Sequence, residues 1–130
     1  MKVFADTFYW IALTDSTGSF HVRASQVTDE IVTTDEVLTE YLTFFCGAPE
    51  FIRREVCLAV DDILQNPAVT VIPQSRESFF AGLRLYRERP DKGYSLTDCV
   101  SMQTMRRQGL TEALTNDRHF EQEGFTAMFR

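Results

Sequence analysis

Short apolar runs alternate along this chain with longer amphipathic ones. Val3-Phe4-Ala5 is continuously apolar and ends at Asp6, so Lys2–Asp6 predicts a short buried strand. Thr7–Leu13 follows as a helix, and Asp15–Ser19 is a polar turn containing Gly18. Phe20–Val27 predicts a second helix and Ile31–Thr33 a second strand. Thr34 or Asp35 can cap a helix running to about Phe45, where Gly47 and Pro49 stop it. Glu50–Leu64 is the next helix, and Val69–Ile72 is a β-branched strand closed by Pro73. Ser75–Arg87 is helical, Arg89–Gly93 is a turn-rich connector, and Ser95–Gln108 is a helix ending at Gly109. Glu112–Thr115 predicts a strand, Asp117–Gln122 a helical turn or more, and Phe125–Phe129 a last short strand.

Strands alternating with helices at this spacing predict an α/β protein, a three-layer α/β/α sandwich around a mainly parallel sheet. Helix pairs between the second and third strands fit neither a simple flavodoxin nor a Rossmann layout. No repeat or linker interrupts the pattern, so residues 1–130 are expected to form a single domain. Neither G-x-G-x-x-G nor a P-loop occurs, which leaves nucleotide cofactors without motif support.

Composition narrows the function. With 44% hydrophobic and 25% charged residues, the chain is neither disordered nor fibrous. Its net charge of −6 excludes holding nucleic acid by bulk electrostatics. If it acts on a polyanion, a metal, a basic partner or an arginine patch must supply local positive charge. Lys2 and Lys92 are the only lysines, so most of the basic charge is arginine. Cys46, Cys57 and Cys99 are odd in number, lack a Cys-x-x-Cys pair and match no zinc spacing. With no leader and no long apolar run, a cytoplasmic protein without membrane contact is expected.

Four carboxylates carry the candidate chemistry, and each has an ordinary alternative. Asp6 can cap the helix after it, or sit at the carboxyl end of a parallel strand where α/β sheets place ligands. Glu40 lies among Val37, Tyr41 and Phe44 on one helical face, where an unpaired carboxylate is costly to bury. Glu36, one turn earlier, reads as a solvated first-turn acid, with a ligand role as the alternative. Asp98 stands three residues after Ser95, at capping-box spacing. Asp117 can cap the short helix containing His119 and Phe120. Carboxylates brought close repel one another unless they share protons or cations. A hard cation such as Mg²⁺ or Mn²⁺ suits an all-carboxylate set; zinc does not.

These residues resemble a family. Asp6-Thr7 follows the first strand, and Glu40 ends Thr33-Thr34-Asp35-Glu36-Val37-Leu38-Thr39-Glu40. Asp98 stands in Tyr94-Ser95-Leu96-Thr97-Asp98-Cys99, and Asp117 in Leu114-Thr115-Asn116-Asp117-Arg118-His119-Phe120. Together they resemble the PIN-domain nucleases, most of all the short VapC-type toxins of toxin–antitoxin pairs. The resemblance spans essentially the whole chain, including the Gly124-Phe125 return into the last strand. It implies that Asp6, Glu40, Asp98 and Asp117 are the catalytic, metal-binding acids, holding one or two Mg²⁺ or Mn²⁺ ions. Thr7 and Thr115 or Asn116 would support them. The implied function is a metal-dependent endoribonuclease that hydrolyses RNA phosphodiester bonds, with water attacking in line. A cognate antitoxin that blocks the groove with a basic side chain, and a homodimer, are implied as well. A structure-specific or DNA-directed nuclease and a catalytically silent binding module remain the alternatives.

The remaining candidates read more plainly. His21 and His119 lack paired spacing and are expected to pack or lie at the surface. Asp61-Asp62 reads as a solvated helix face and Cys99 as a core thiol, and Asp91, in the turn before the Asp98 helix, could support the acid site from behind. Arg53-Arg54, Arg84, Arg87, Arg89 and Arg106-Arg107 are expected to form surface ion pairs, with phosphate contact as the alternative. Trp10 and the Phe8-Tyr9-Trp10 run could stack on a base, with at least one of these rings expected in the core or as an interface anchor.

Overall fold

In the computed structural model, which describes residues 1–130, the first apolar run forms the central strand of the sheet. β1 (Lys2–Ala5) fully buries Val3, Phe4 and Ala5. Such a strand is stable only where helices cover both of its faces, as in a parallel sheet. β2 (Glu30–Thr34) and β3 (Val69–Ile72) extend the sheet to one side of β1. β4 (Glu112–Leu114) and β5 (Thr126–Ala127) extend it to the other, giving the order β3-β2-β1-β4-β5. All four pairings are parallel, and Phe4 stands in register between Val32 and Ala113.

Parallel neighbours need crossovers, and the helices supply them. α1 (Thr7–Thr14) and α2 (His21–Ser25) lead to β2; α3 (Asp35–Phe44) and α4 (Glu50–Gln65) lead to β3. α5 (Arg76–Glu88) and α6 (Leu96–Gln108) return the chain across the sheet to β4, and α7 (Arg118–Gln122) precedes β5. The chain therefore moves outward from β1 on one side, then reappears at β4 on the other. Where strand order reverses in this way, a crevice opens beyond the strands' carboxyl ends. Asp6 and the Thr115–Asp117 segment follow β1 and β4 directly and stand at that crevice.

Local chemistry explains the helix boundaries. Thr34 caps α3, its hydroxyl accepting a 3.1 Å hydrogen bond from the Val37 amide. Ser75 and Ser95 each form a reciprocal capping box, with Ser78 and with Asp98. Gly109 ends α6 in the left-handed region, at φ 69°. Gly82 lets α5 and α6 approach closely: a Cβ there would lie 2.5 Å from Val100 Cγ2.

Three sequence expectations need correction. The second helix is shorter than residues 20–27, covering His21–Ser25. At its end the ladder tightens to bonds three residues back, from the Gln26 amide to the Arg23 carbonyl at 3.2 Å and from the Val27 amide to the Ala24 carbonyl at 3.4 Å, and the helix stops. The last strand is only Thr126–Ala127, because Phe129 turns inward against Phe8 and Phe20, with ring centroids 5.4 and 6.0 Å away. On α3 the buried stripe is Val37, Leu38 and Tyr41, and Phe44 is exposed. Glu40 thus flanks the apolar stripe rather than lying within it.

Candidate metal centre

The four sequence-predicted carboxylates line one open pocket of about 760 Å³ at the carboxyl edge of the sheet. Each arrives on a different element. Asp6 is the residue between β1 and α1; Glu40 projects from α3, Asp98 from the first turn of α6, and Asp117 from the start of α7. α1, α3 and α7 follow β1, β2 and β4 directly, so all three helices begin at this edge of the sheet.

Each carboxylate is tethered through one oxygen. Asp6 Oδ2 accepts from the Thr115 hydroxyl at 3.0 Å, and Glu40 Oε1 from the Thr7 hydroxyl at 2.6 Å. Asp98 Oδ2 accepts from the Ser95 amide at 3.0 Å, and Asp117 Oδ1 from the His119 amide at 2.9 Å. The second oxygens of Glu40, Asp98 and Asp117 have no hydrogen-bond partner in the protein. Capping and pocket-lining are therefore compatible at Asp98 and Asp117, since one oxygen serves each purpose. Asp6 occupies the N-cap position of α1 but makes no side-chain cap bond, which leaves its carboxylate to the pocket.

The electrostatics of the pocket is that of crowded, partly buried carboxylates. Burial, reinforced by the charges of Asp98 and Glu40, pushes the Asp6 carboxyl up to about 7. Asp98 is raised for the same reasons, burial first and then the charges of Asp117 and Glu40. Like charges held this close by rigid tethers are relieved by a cation. The oxygen-rich donor set fits a hard divalent ion.

The structure brings one more group against the acids, beside the pocket lining, that the sequence reading left to packing or the surface. His119 is half-buried, with Nδ1 3.4 Å from Asp117 Oδ1 and 3.7 Å from Asp98 Oδ2, and that nitrogen has no hydrogen-bond partner. Asp98, Asp117 and His119 bring one donor atom each within 4.8 Å of one another. The expectation of a histidine confined to packing or the surface is corrected: its ring does pack on Tyr94, at 5.2 Å, but its nitrogen faces the acids. The Asp117-x-His119 spacing was the available signal, because an N-cap carboxylate turns back over the first helical turn, where Asp117 Oδ1 accepts from the His119 amide. Arg118 and Arg130 stand in the lining, as do Phe8, Ile11, Phe44 and Asn116.

Behind Tyr94 lies Glu123, an acid whose side chain is covered and which no sequence signal marked. Arg89 contacts it at 2.9 and 3.1 Å, Arg106 reaches it as well, and the Tyr94 hydroxyl donates at 3.0 Å. Burial alone would raise its carboxyl, but these hydrogen bonds hold it down at about 2. The network fixes Tyr94 and, through it, the wall on which His119 rests.

Other candidates fall outside the pocket. Asp91, Asp61 and Asp62 are exposed, Cys99 is buried, and His21 Nδ1 pairs with the Ala12 carbonyl at 3.0 Å. Arg54 pairs with Glu50 and Arg107 with Glu77, while Arg89 and Arg106 are taken by Glu123. Tyr9 and Trp10 are core residues, so Trp10 is not placed to stack on a base. No helix is long and apolar enough to cross a membrane.

Comparison with known proteins bears on the fold and the family. Residues 3–125 match the model of the PIN domain. Among solved structures, VapC20 of Mycobacterium tuberculosis, described as a sarcin–ricin loop cleaving toxin, superimposes with a TM-score of 0.83 at 23% identity. That match covers 95% of this chain and 96% of VapC20. VapBC2 of Rickettsia felis, solved with a DNA fragment from its promoter, matches at TM-score 0.70 and 14% identity over 98% of this chain and 97% of the other. FitAcB of Neisseria gonorrhoeae matches at 0.66 and 14% over 98% and 95%. These likenesses establish a shared fold. No curated protein shows a significant sequence match.

Proposed function

The chain belongs to the PIN domain family, and on that premise we propose that it is a divalent-metal-dependent endoribonuclease, the toxin of a toxin–antitoxin pair. The observation that carries this reading is the convergence of Asp6, Glu40, Asp98 and Asp117 on one pocket whose lining also includes Arg118 and Arg130. The likeness to VapC20, which cleaves RNA at the sarcin–ricin loop, supports RNA as the substrate.

Asp6, Glu40, Asp98 and Asp117 would hold one or two Mg²⁺ or Mn²⁺ ions. When bound, such an ion supplies Lewis-acid charge to a phosphate and to the attacking water. The protein's own residues do the rest. Thr7 and Thr115 orient Glu40 and Asp6, so the donor oxygens are set before any ligand arrives. Arg118, together with the terminal guanidinium nitrogens of Arg130, whose Nε is held by Glu121 at 3.1 Å, offers donors to flanking phosphates, which a chain of net charge −6 must provide locally. Phe8 and Phe44 give apolar walls against which an unstacked base can lie.

A protein that cuts the RNA of its own cell has to be restrained, which supports a small antitoxin as the physiological partner. An arginine or lysine placed among the four acids would neutralise them in the cation's stead. The exposed Phe79, Phe80 and Tyr86 of α5 support the pairing of two copies. The test is incubation of the purified protein with RNA and with DNA of the same sequence, in Mg²⁺, in Mn²⁺ and in EDTA. Cleavage of RNA that EDTA and Asp6→Asn both abolish is expected; RNA left intact in both metals would overturn the reading.

A further inference from the structure

We propose that the polar groove on the far side of Glu40 is a nucleobase subsite, in which Glu36 reads a base edge bearing N–H donors. The proposal rests on the nuclease reading and adds to it a source of base preference.

The groove measures about 320 Å³ and is lined by Glu36, Thr39, Glu40, Thr43, Gln74 and Thr97, none of them apolar. It shares Glu40 with the acid pocket. A strand with its scissile phosphate at the acids can therefore place the adjoining nucleotide in the groove. The walls are fixed from behind. Ser78, buried and locked into the capping box with Ser75, sets its hydroxyl 3.2 Å from Glu36 Oε2. Asp35 Oδ2 accepts from the Gln74 amide at 2.9 Å, tying the first turn of α3 to the segment before α5. Glu36 Oε1 has no hydrogen-bond partner.

The lining dictates how a base would be held. No aromatic ring lines this groove, so stacking is not available, and recognition falls to hydrogen bonds at the base edge. A carboxylate only accepts. It is satisfied best by two adjacent N–H donors, as on the Watson–Crick edge of guanine, and less well by the single amino group of cytosine or adenine. Uracil offers one N–H flanked by two carbonyl oxygens, which an anionic acceptor repels. The threonine hydroxyls and Gln74 can meet the remaining edge as donors or acceptors.

The test compares wild type with Glu36→Gln on a randomised short RNA in Mn²⁺, reading the bases beside each cut. In parallel, fluorescence anisotropy measures binding of Asp6→Asn and of Asp6→Asn/Glu36→Gln to short RNAs that differ only in guanine or uracil at one position. Wild type should favour guanine over uracil at one flanking position by about tenfold. Glu36→Gln should flatten that preference while still cutting, and the same loss should show in binding. An unchanged base profile in an active Glu36→Gln enzyme overturns the subsite and leaves the nuclease reading standing. Loss of cleavage at every site together with weakened Mn²⁺ binding by calorimetry also overturns it, placing Glu36 among the metal ligands. Guanine-selective binding that needs Glu36, from a wild-type chain that cuts no RNA, upholds the subsite and removes the nuclease reading.

Discussion

The Thr7 hydroxyl donates a 2.6 Å hydrogen bond to Glu40 Oε1, joining the first residue of α1 to the middle of α3. A hydrogen bond to a charged acceptor is worth about 1.5–3 kcal/mol, and here it sets which way the carboxylate points. Thr7→Val removes the hydroxyl at nearly constant shape. The expected result is a fall of roughly tenfold or more in kcat/KM, by the same energy, with weaker Mn²⁺ binding by calorimetry. Thr7→Ser should restore both. Full activity in Thr7→Val would show that Glu40 needs no positioning.

Asp6 makes the metal-free protein sensitive to pH. Its folded carboxyl is pushed up to about 7, first by burial and then by the charge of Asp98, from an ordinary value of 3.8. The native state thus binds its proton more tightly than the unfolded chain does. The contribution favours folding at low pH and is lost as pH rises from about 4 through 7. Asp98 shifts the same way. Without metal, the melting temperature should be lower at pH 8 than at pH 5.5, and Asp6→Asn should flatten that slope. Adding Mn²⁺ at pH 8 should recover the loss by binding the native state alone. A slope that Asp6→Asn leaves unchanged would remove Asp6 as its source.

Asp98 has two duties on two oxygens. Oδ2 holds the Ser95 amide at 3.0 Å, while Oδ1 is unbonded. Asp98→Asn keeps an acceptor for the cap but removes the charge. It should stay folded, with a melting temperature equal to or above wild type in EDTA, and should lose cleavage. A lower melting temperature with activity intact would assign the residue to the helix cap alone.

End-group chemistry distinguishes water from the ribose hydroxyl as the nucleophile. In-line attack by water leaves a 5′-phosphate and a 3′-hydroxyl, and replacing the 2′-hydroxyl at the scissile position by hydrogen should leave residual cleavage. His119 is the residue that could carry the other outcome, since its Nδ1 stands 3.4 Å from Asp117 Oδ1. Cyclic phosphate ends would make imidazole-assisted attack by the 2′-hydroxyl the mechanism.

Much of the architecture could be read along the chain, because its causes are local. Val3-Phe4-Ala5 is apolar on both faces, which is what a central parallel strand needs, and Thr34, Ser75 and Ser95 stand at the caps of their helices. The four acids were legible for a related reason: Asp6 and Asp117 close a strand-to-helix junction, and their neighbours carry a recognisable pattern. What tertiary structure alone decided lies between residues far apart in sequence. Strand order brings β4 beside β1, so Thr115 meets Asp6 across 109 positions and Arg89 and Arg106 close on Glu123. No local propensity encodes such meetings, because they depend on which crossover carries each strand to which side of the sheet. The same holds for His119, whose nitrogen meets Asp98 only once α6 and α7 converge at the sheet edge. Periodicity and capping act within a turn or two of chain, whereas a charged pocket is made by the packing of elements that share no turn.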